Sequence, residues 1–262
     1  MFWQRLLSAL IGIPLLIAAV WYGGVPLIAV TAALMLLGIR EINRIFSQIQ
    51  LQVPIALALA GCLILLVAAY QYKQGYPGAG VVAILVLNLL TMVLFYPRFS
   101  PQDIAVTFLS TLYVGLISYL FLLSTLDNGR VWLILLLVCT WANDTVAYLV
   151  GCKWGRHRMA PTLSPGKTVE GAVCGVLGSI LAALLVIFFS SHLPLLPVLL
   201  LGALVGIAGQ VGDLVESALK RQAGIKDAGR LIPGHGGILD RFDSMLFTAP
   251  LVYHFVGLII IS

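Results

Sequence analysis

Charge is scarce in this chain. Its 262 residues include 15 Lys and Arg and 10 Asp and Glu, together 10% of the total, against roughly 25% in an ordinary soluble domain. Hydrophobic residues make up 61%. A water-soluble globule of that composition lacks the polar side chains to cover its surface and would aggregate. The same arithmetic excludes intrinsic disorder. Closely paired cysteines are also lacking. Cys62, Cys139, Cys152 and Cys174 are scattered, which excludes a disulfide scaffold and a CxxC-type zinc or redox site. No polar stretch exceeds about 30 residues, too few for a soluble domain. Period-two alternation is missing, so a membrane β-barrel is not expected. There is no internal repeat, no low-complexity segment and no organellar transit peptide.

What is there is a series of long apolar runs, near 6–22, 25–39, 51–70, 80–96, 104–125, 131–150, 171–190, 194–212 and 244–261. A helix needs about 20 apolar residues to cross the hydrocarbon. The sequence therefore predicts an all-α, polytopic integral membrane protein with about nine transmembrane helices. The second run is short for a full crossing. With the N-terminus cytoplasmic and the C-terminus outside, 13 of the 15 Lys and Arg fall on the cytoplasmic side and only Lys73 and Arg130 on the other, as the positive-inside rule requires. Removing one helix destroys that asymmetry. Arg5 before an apolar stretch also fits a signal peptide, but cleavage there would leave the later basic loops on one side only by accident. A bacterial cytoplasmic (inner) membrane is the expected location.

The few charges are unevenly placed: 16 of the 25 lie between residues 144 and 243. Asp144 falls inside the sixth run, about 10 Å from its cytoplasmic edge by helical rise. An intramembrane carboxylate is costly and marks either a polar cavity or a structural ion pair. The segment Ser164-Pro165-Gly166-Lys167-Thr168-Val169-Glu170-Gly171 offers hydroxyls, a lysine and free backbone N–H groups to phosphate oxygens. A plain basic loop obeying the topology rule is the other reading, because the GxxxxGK[ST] pattern of a P-loop is absent.

From Asp213 to Asp243 ten charges fall in 31 residues, five basic and five acidic. A surface patch or topology signal would be basic only. A balanced set suits carboxylates that hold a cation and cations that hold phosphates. If the eighth helix continues past the interface, Asp213, Glu216, Ser217 and Lys220 share one face. Asp240 and Asp243 stand three apart at the start of the last helix. With Asp213 they are candidate Mg²⁺ ligands, although N-capping against the helix dipole also favours Asp there. His235 sits among Gly234, Gly236 and Gly237, where backbone can approach an anion.

These residues carry a resemblance. Ser217 to Arg221, Lys226-Asp227-Ala228-Gly229 and Pro233-Gly234-His235-Gly236-Gly237-Ile238-Leu239-Asp240-Arg241-Phe242-Asp243 resemble the signature of phosphatidate cytidylyltransferases (CDP-diacylglycerol synthases). Asp144 to Tyr148 and Ser164 to Gly171 resemble a second region of that family. Ala228 and Val169 stand where members often carry Ser and Trp, and Cys152 where a small or basic residue is expected. The resemblance implies CTP and phosphatidic acid as substrates, CDP-diacylglycerol and pyrophosphate as products, Mg²⁺ (with a second cation allowed) as cofactor, and a membrane homodimer. No nucleic-acid partner is expected.

The resemblance further implies catalytic roles for Asp213, Asp240, Lys226 and His235, and metal ligation by Asp213, Asp240 and Asp243. Substrate contacts are expected from Asp144, Ser164, Lys167, Thr168, Glu170, Ser217, Lys220, Arg221, Asp227, Gly236, Gly237 and Arg241. On this reading residues 1–262 form one membrane domain, with 1–143 mainly scaffold and 144–262 carrying the catalytic helices and loops. Two other classes stay open: a CTP-dependent polyprenol or phytol kinase, and a transporter. A transporter would place charge near the bilayer midplane, where only His254 falls.

Overall fold

Apolar runs separated by short polar stretches fold as helices, because in a bilayer each backbone N–H and C=O must be satisfied within its own segment. The computed structural model describes residues 2–72, 78–190, 192–229 and 236–260. Among them are α1 (Phe2–Tyr22), α2 (Gly24–Ser47), α3 (Ile55–Tyr72), α4 (Gly78–Leu94) and α5 (Pro101–Gly115). One 3₁₀ turn joins α5 to α6 (Tyr119–Ser124), and α7 (Gly129–Trp154) follows. A small antiparallel hairpin, β1 (Arg158–Ala160) and β2 (Ser164–Thr168), precedes α8 (Val169–Phe189), α9 (Leu195–Gln222) and α10 (Leu239–Phe255).

Six helical segments among the described residues are long and apolar enough to span a membrane: Gly24–Ser47, Pro101–Ser124, Gly129–Trp154, Val169–Phe189, Leu195–Gln222 and Leu239–Ile260. Gly12–Tyr22, Ile55–Gln71 and Gly78–Leu94 are shorter apolar helices. The all-α, polytopic expectation therefore holds, with one hairpin added. Apolar side chains line the outside of these helices. Val173, Leu177, Leu181, Leu184 and Phe188 of α8 are all exposed, a face suited to lipid rather than water.

The helices outrun their apolar runs. α2 continues to Ser47 and α9 to Gln222, while α10 begins at Leu239. Arg, Glu, Lys and Gln are good helix formers, so the backbone ladder continues where hydropathy falls. The expected loop at 164–171 also differs. Ser164–Thr168 pairs with Arg158–Ala160, and the helix starts at once at Val169.

The helices form two compact units, the first from residues 1–125 and 219–241 and the second from 126–218 and 242–262. In the first unit α2 buries a stripe through Leu34, Gly38, Glu41, Ile42 and Ile45. The start of α5 is fixed by a capping box between Ser100 and Asp103, and Asp103 Oδ1 also accepts from the Gln52 N–H at 2.7 Å.

In the second unit α7, α8 and α9 approach closely over glycines. A Cβ on Gly175 would lie 2.8 Å from Asn143 Oδ1, one on Gly178 2.8 Å from Val146, and one on Gly202 2.7 Å from Ala183. Gly171, Gly175 and Ser179 of α8 and Gly202 and Gly206 of α9 thus form packing faces, as small residues do between membrane helices.

Candidate active site

In the first unit the polar chemistry gathers around Asp240, in the first turn of α10. Its Oδ1 accepts from Lys220 Nζ at 2.6 Å, and its Oδ2 accepts from the N–H groups of Ala228 (3.0 Å) and Gly237 (2.7 Å). The side chains of this pair are only 11% and 8% exposed. The carboxylate therefore holds an ammonium and caps the turn into α10 at once, so cation holding and capping coexist here. Gly236 has φ +88°, and a Cβ there would fall 2.8 Å from Asp240 Oδ2. A side chain at this position is strained and obstructed.

α9 reaches this point because Lys220 lies in its last turn, where cations are favoured by the helix dipole. The helix ends at Gly224 (φ +68°), whose N–H donates to Arg221 O, while the Ile225 N–H donates to Lys220 O. Arg221 is exposed and donates from Nη1 to Ile225 O at 3.3 Å. Lys226, Asp227 and Arg241 are exposed. His235 lies outside the described residues, as do Pro233, Gly234, Lys73 and Arg230.

The sequence reading missed Glu41. This residue of α2 is 7% exposed. Its Oε1 accepts from the Ile238 N–H and its Oε2 from the Leu239 N–H, both at 2.8 Å. It fell beyond the apolar end of the second run. Its place on the buried stripe of α2, one turn after Gly38, was the signal that could have marked it.

The second unit holds a parallel arrangement. Lys167 of β2 pairs with Asp213 Oδ2 of α9 at 2.7 Å, more openly, with side-chain exposures of 22% and 37%. Ser217, one turn along α9, donates to Asp213 Oδ1 at 3.4 Å. Glu216 is buried beside it. The helical continuation of α9 thus places Asp213 and Ser217 on one face, as the i, i+4 spacing requires.

Thr168 is buried and its Oγ1 accepts from the Gly171 N–H, capping α8. Glu170 accepts from the backbone N–H groups of Arg156 and His157 and lies 2.6 Å from His157 Nδ1, tying the hairpin to the helix. Asp144 is exposed on α7 and accepts from Asn143 Nδ2 at 3.0 Å. Asn143 in turn accepts from Gln210 Nε2 at 3.0 Å. Asp243 is buried, accepts from the Ser244 N–H, and packs over Gly212 next to Asp213.

Among the described residues, no three His, Cys, Asp or Glu side chains converge as a metal cluster. Mg²⁺ does not require one, because it binds through one or two carboxylates plus substrate phosphates. Asp213 and Asp240 each already hold one cationic group at under 3 Å. Carboxylate oxygen is the donor type a hard cation uses, and an ion binding at either residue would compete with the lysine already there.

Fold and site together define a polytopic membrane protein with two lysine–aspartate pairs, one joining the ends of α9 and α10 and one joining β2 to α9. The chain belongs to the cytidylyltransferase family, whose profile matches residues 3–259. It is 35% identical over 251 residues to a phosphatidate cytidylyltransferase of Staphylococcus epidermidis, covering 95% of this chain and 96% of that protein. Proteins of the same name from Staphylococcus haemolyticus and Staphylococcus aureus are 35% and 34% identical over the same shares.

Proposed function

We propose that this chain transfers the cytidylyl group of CTP to phosphatidate, giving CDP-diacylglycerol and pyrophosphate. The observation that carries this reading is the similarity to phosphatidate cytidylyltransferases along nearly the whole chain. A phosphate oxygen of phosphatidate attacks the α-phosphorus of CTP. A new P–O bond forms, the bond to the bridging oxygen of the β-phosphate breaks, and pyrophosphate leaves. The acceptor is already an anion, so no serine or cysteine nucleophile is needed.

The difficulty is bringing two polyanions together, and cationic side chains answer it. Lys167 and Lys220 are held ready by Asp213 and Asp240. Arg221, Lys226 and Arg241 are exposed to meet phosphate oxygens. Mg²⁺ is the proposed cofactor, with Asp213, Asp240 and Asp243 as its carboxylate ligands; when bound it neutralises polyphosphate charge. A bacterial cytoplasmic membrane, a cytoplasmic N-terminus and a homodimer complete the proposal.

The test is purified protein with CTP labelled in the cytidine, phosphatidate and Mg²⁺. Cytidine in the lipid fraction with release of pyrophosphate is expected. Label recovered only as soluble CDP would make the chain a lipid kinase instead, and solute flux without CTP would make it a transporter. Asp213→Asn, Asp240→Asn and Lys226→Ala are each expected to abolish lipid labelling while still inserting in the membrane. Normal turnover by Asp240→Asn sinks the metal assignment.

A further inference from the structure

A carboxylate stands on the apolar stripe of α2 where the neighbouring buried positions are Leu34, Gly38, Ile42 and Ile45. Glu41 is 7% exposed, and a buried charge persists only where donors replace the water it has lost. Its donors come from 197 and 198 residues further along the chain, the backbone N–H groups of Ile238 and Leu239. The same carboxylate lies against Gly229 and Gly237, since a Cβ on either glycine would collide with its oxygens. One turn earlier on α2, Gly38 receives the Leu239 side chain, with its methyl 3.4 Å from where a Cβ would be. The start of α10 is thus seated on α2 by both its backbone and its first side chain.

Asp240 completes the pattern. Its Oδ2 takes the N–H of Gly237, and Glu41 takes the next two. Three consecutive N–H groups at the entry to α10 therefore end on two carboxylates from different helices. None of the three is left for a phosphate. The strand of backbone that orients Asp240 is fixed on one side by Asp240 itself and on the other by Glu41.

We infer that Glu41 is a positioning residue for cytidylyl transfer, acting through the Gly237–Leu239 backbone to set the Asp240 carboxylate and its Lys220 partner. The inference rests on the proposed reaction and on a role for Asp240 in it. A glutamate suits the task better than a glutamine. Both of its oxygens accept, one for each N–H, whereas an amide would turn its own NH₂ toward one of the donors. Gly229 matters for the same reason, because a methyl there displaces the carboxylate rather than filling space.

The experiment uses full-length protein purified in detergent, with mixed micelles of phosphatidate, comparing wild type, Glu41→Gln and Gly229→Ala. Each variant is expected to remain monodisperse and to keep the wild-type KM for CTP and for phosphatidate. Its kcat is expected to fall about 10- to 100-fold, the scale on which a misplaced catalytic group costs rate. An active wild type with Glu41→Gln and Gly229→Ala at wild-type kcat overturns the inference alone. So does a fall in activity that merely tracks a fall in folded fraction. A folded wild-type chain that forms no CDP-diacylglycerol overturns the proposed reaction and this inference with it.

Discussion

Lys167 and Lys220 make the same contact and are expected to behave differently when removed. The pair of Lys220 and Asp240 is nearly enclosed, at 11% and 8% exposure. Breaking a buried pair by deleting one partner costs about 3–5 kcal/mol, because the other charge is left uncompensated. The pair of Lys167 and Asp213 is more open as a whole, although the Lys167 Nζ is itself enclosed, so losing it should cost less than losing Lys220. Lys220→Ala should therefore lower the unfolding temperature of detergent-solubilised protein and abolish turnover. Lys167→Ala should abolish turnover and lower the unfolding temperature by less. Thermal unfolding beside a CTP assay checks both, and equal melting shifts for the two variants contradict the distinction.

At the scale of elements, the close approach of α7 and α8 depends on Gly175 and Gly178. A side chain at Gly175 meets Asn143 and Ala147 within about 3 Å, and the obstacles include backbone, which cannot rotate away. Gly175→Leu is expected to force the helices apart and yield aggregated protein on size-exclusion chromatography. Gly166→Ala in the hairpin, where nothing lies within 4 Å of the new methyl, is expected to elute as wild type. The glycine spacing on α8 and α9 carries these faces in the sequence, because small residues at helical spacing have one common use in membranes.

The α9 face bearing Asp213 and Ser217 was readable too, since a helix carries its periodicity past the end of its apolar run. Glu41 was not. Its partners are backbone N–H groups, which every residue but proline possesses, so no residue type 197 positions away announces them. The hairpin at 158–168 was hidden for a related reason. Its pairing of Arg158 with Thr168 and Ala160 with Ser164 uses main-chain bonds that leave almost no trace in side-chain pattern. The lysine–aspartate pairs lay between these cases: the residues stood out as candidates, but their pairing is tertiary.

At the scale of the whole molecule, the distribution of basic residues supports one proposed orientation. The proposed orientation, with a cytoplasmic N-terminus and an external C-terminus, is the one that would place 13 of 15 Lys and Arg on one side. A reporter active only outside the cytoplasmic membrane, fused after Ser262, is expected to be active, and a fluorescent protein at the same place is expected to stay dark. The opposite result requires an even number of crossings and removes the orientation proposed for the substrate-facing loops. The exposed apolar faces of α4 and α8 set where lipid meets the protein, so the acyl chains of a lipid substrate can stay in the bilayer while its headgroup meets the cations.

The bond between residue 41 and residues 238–239 also imposes an order on biogenesis. Synthesis runs at about 5–20 residues per second, so Glu41 leaves the ribosome roughly 10 to 40 seconds before its donors exist. For that interval the Glu41 carboxylate lacks both of the backbone donors that hold it in the finished protein. The seat of Asp240 can be assembled only when the chain is almost finished. A nascent chain stalled before residue 238 lacks both N–H donors of Glu41.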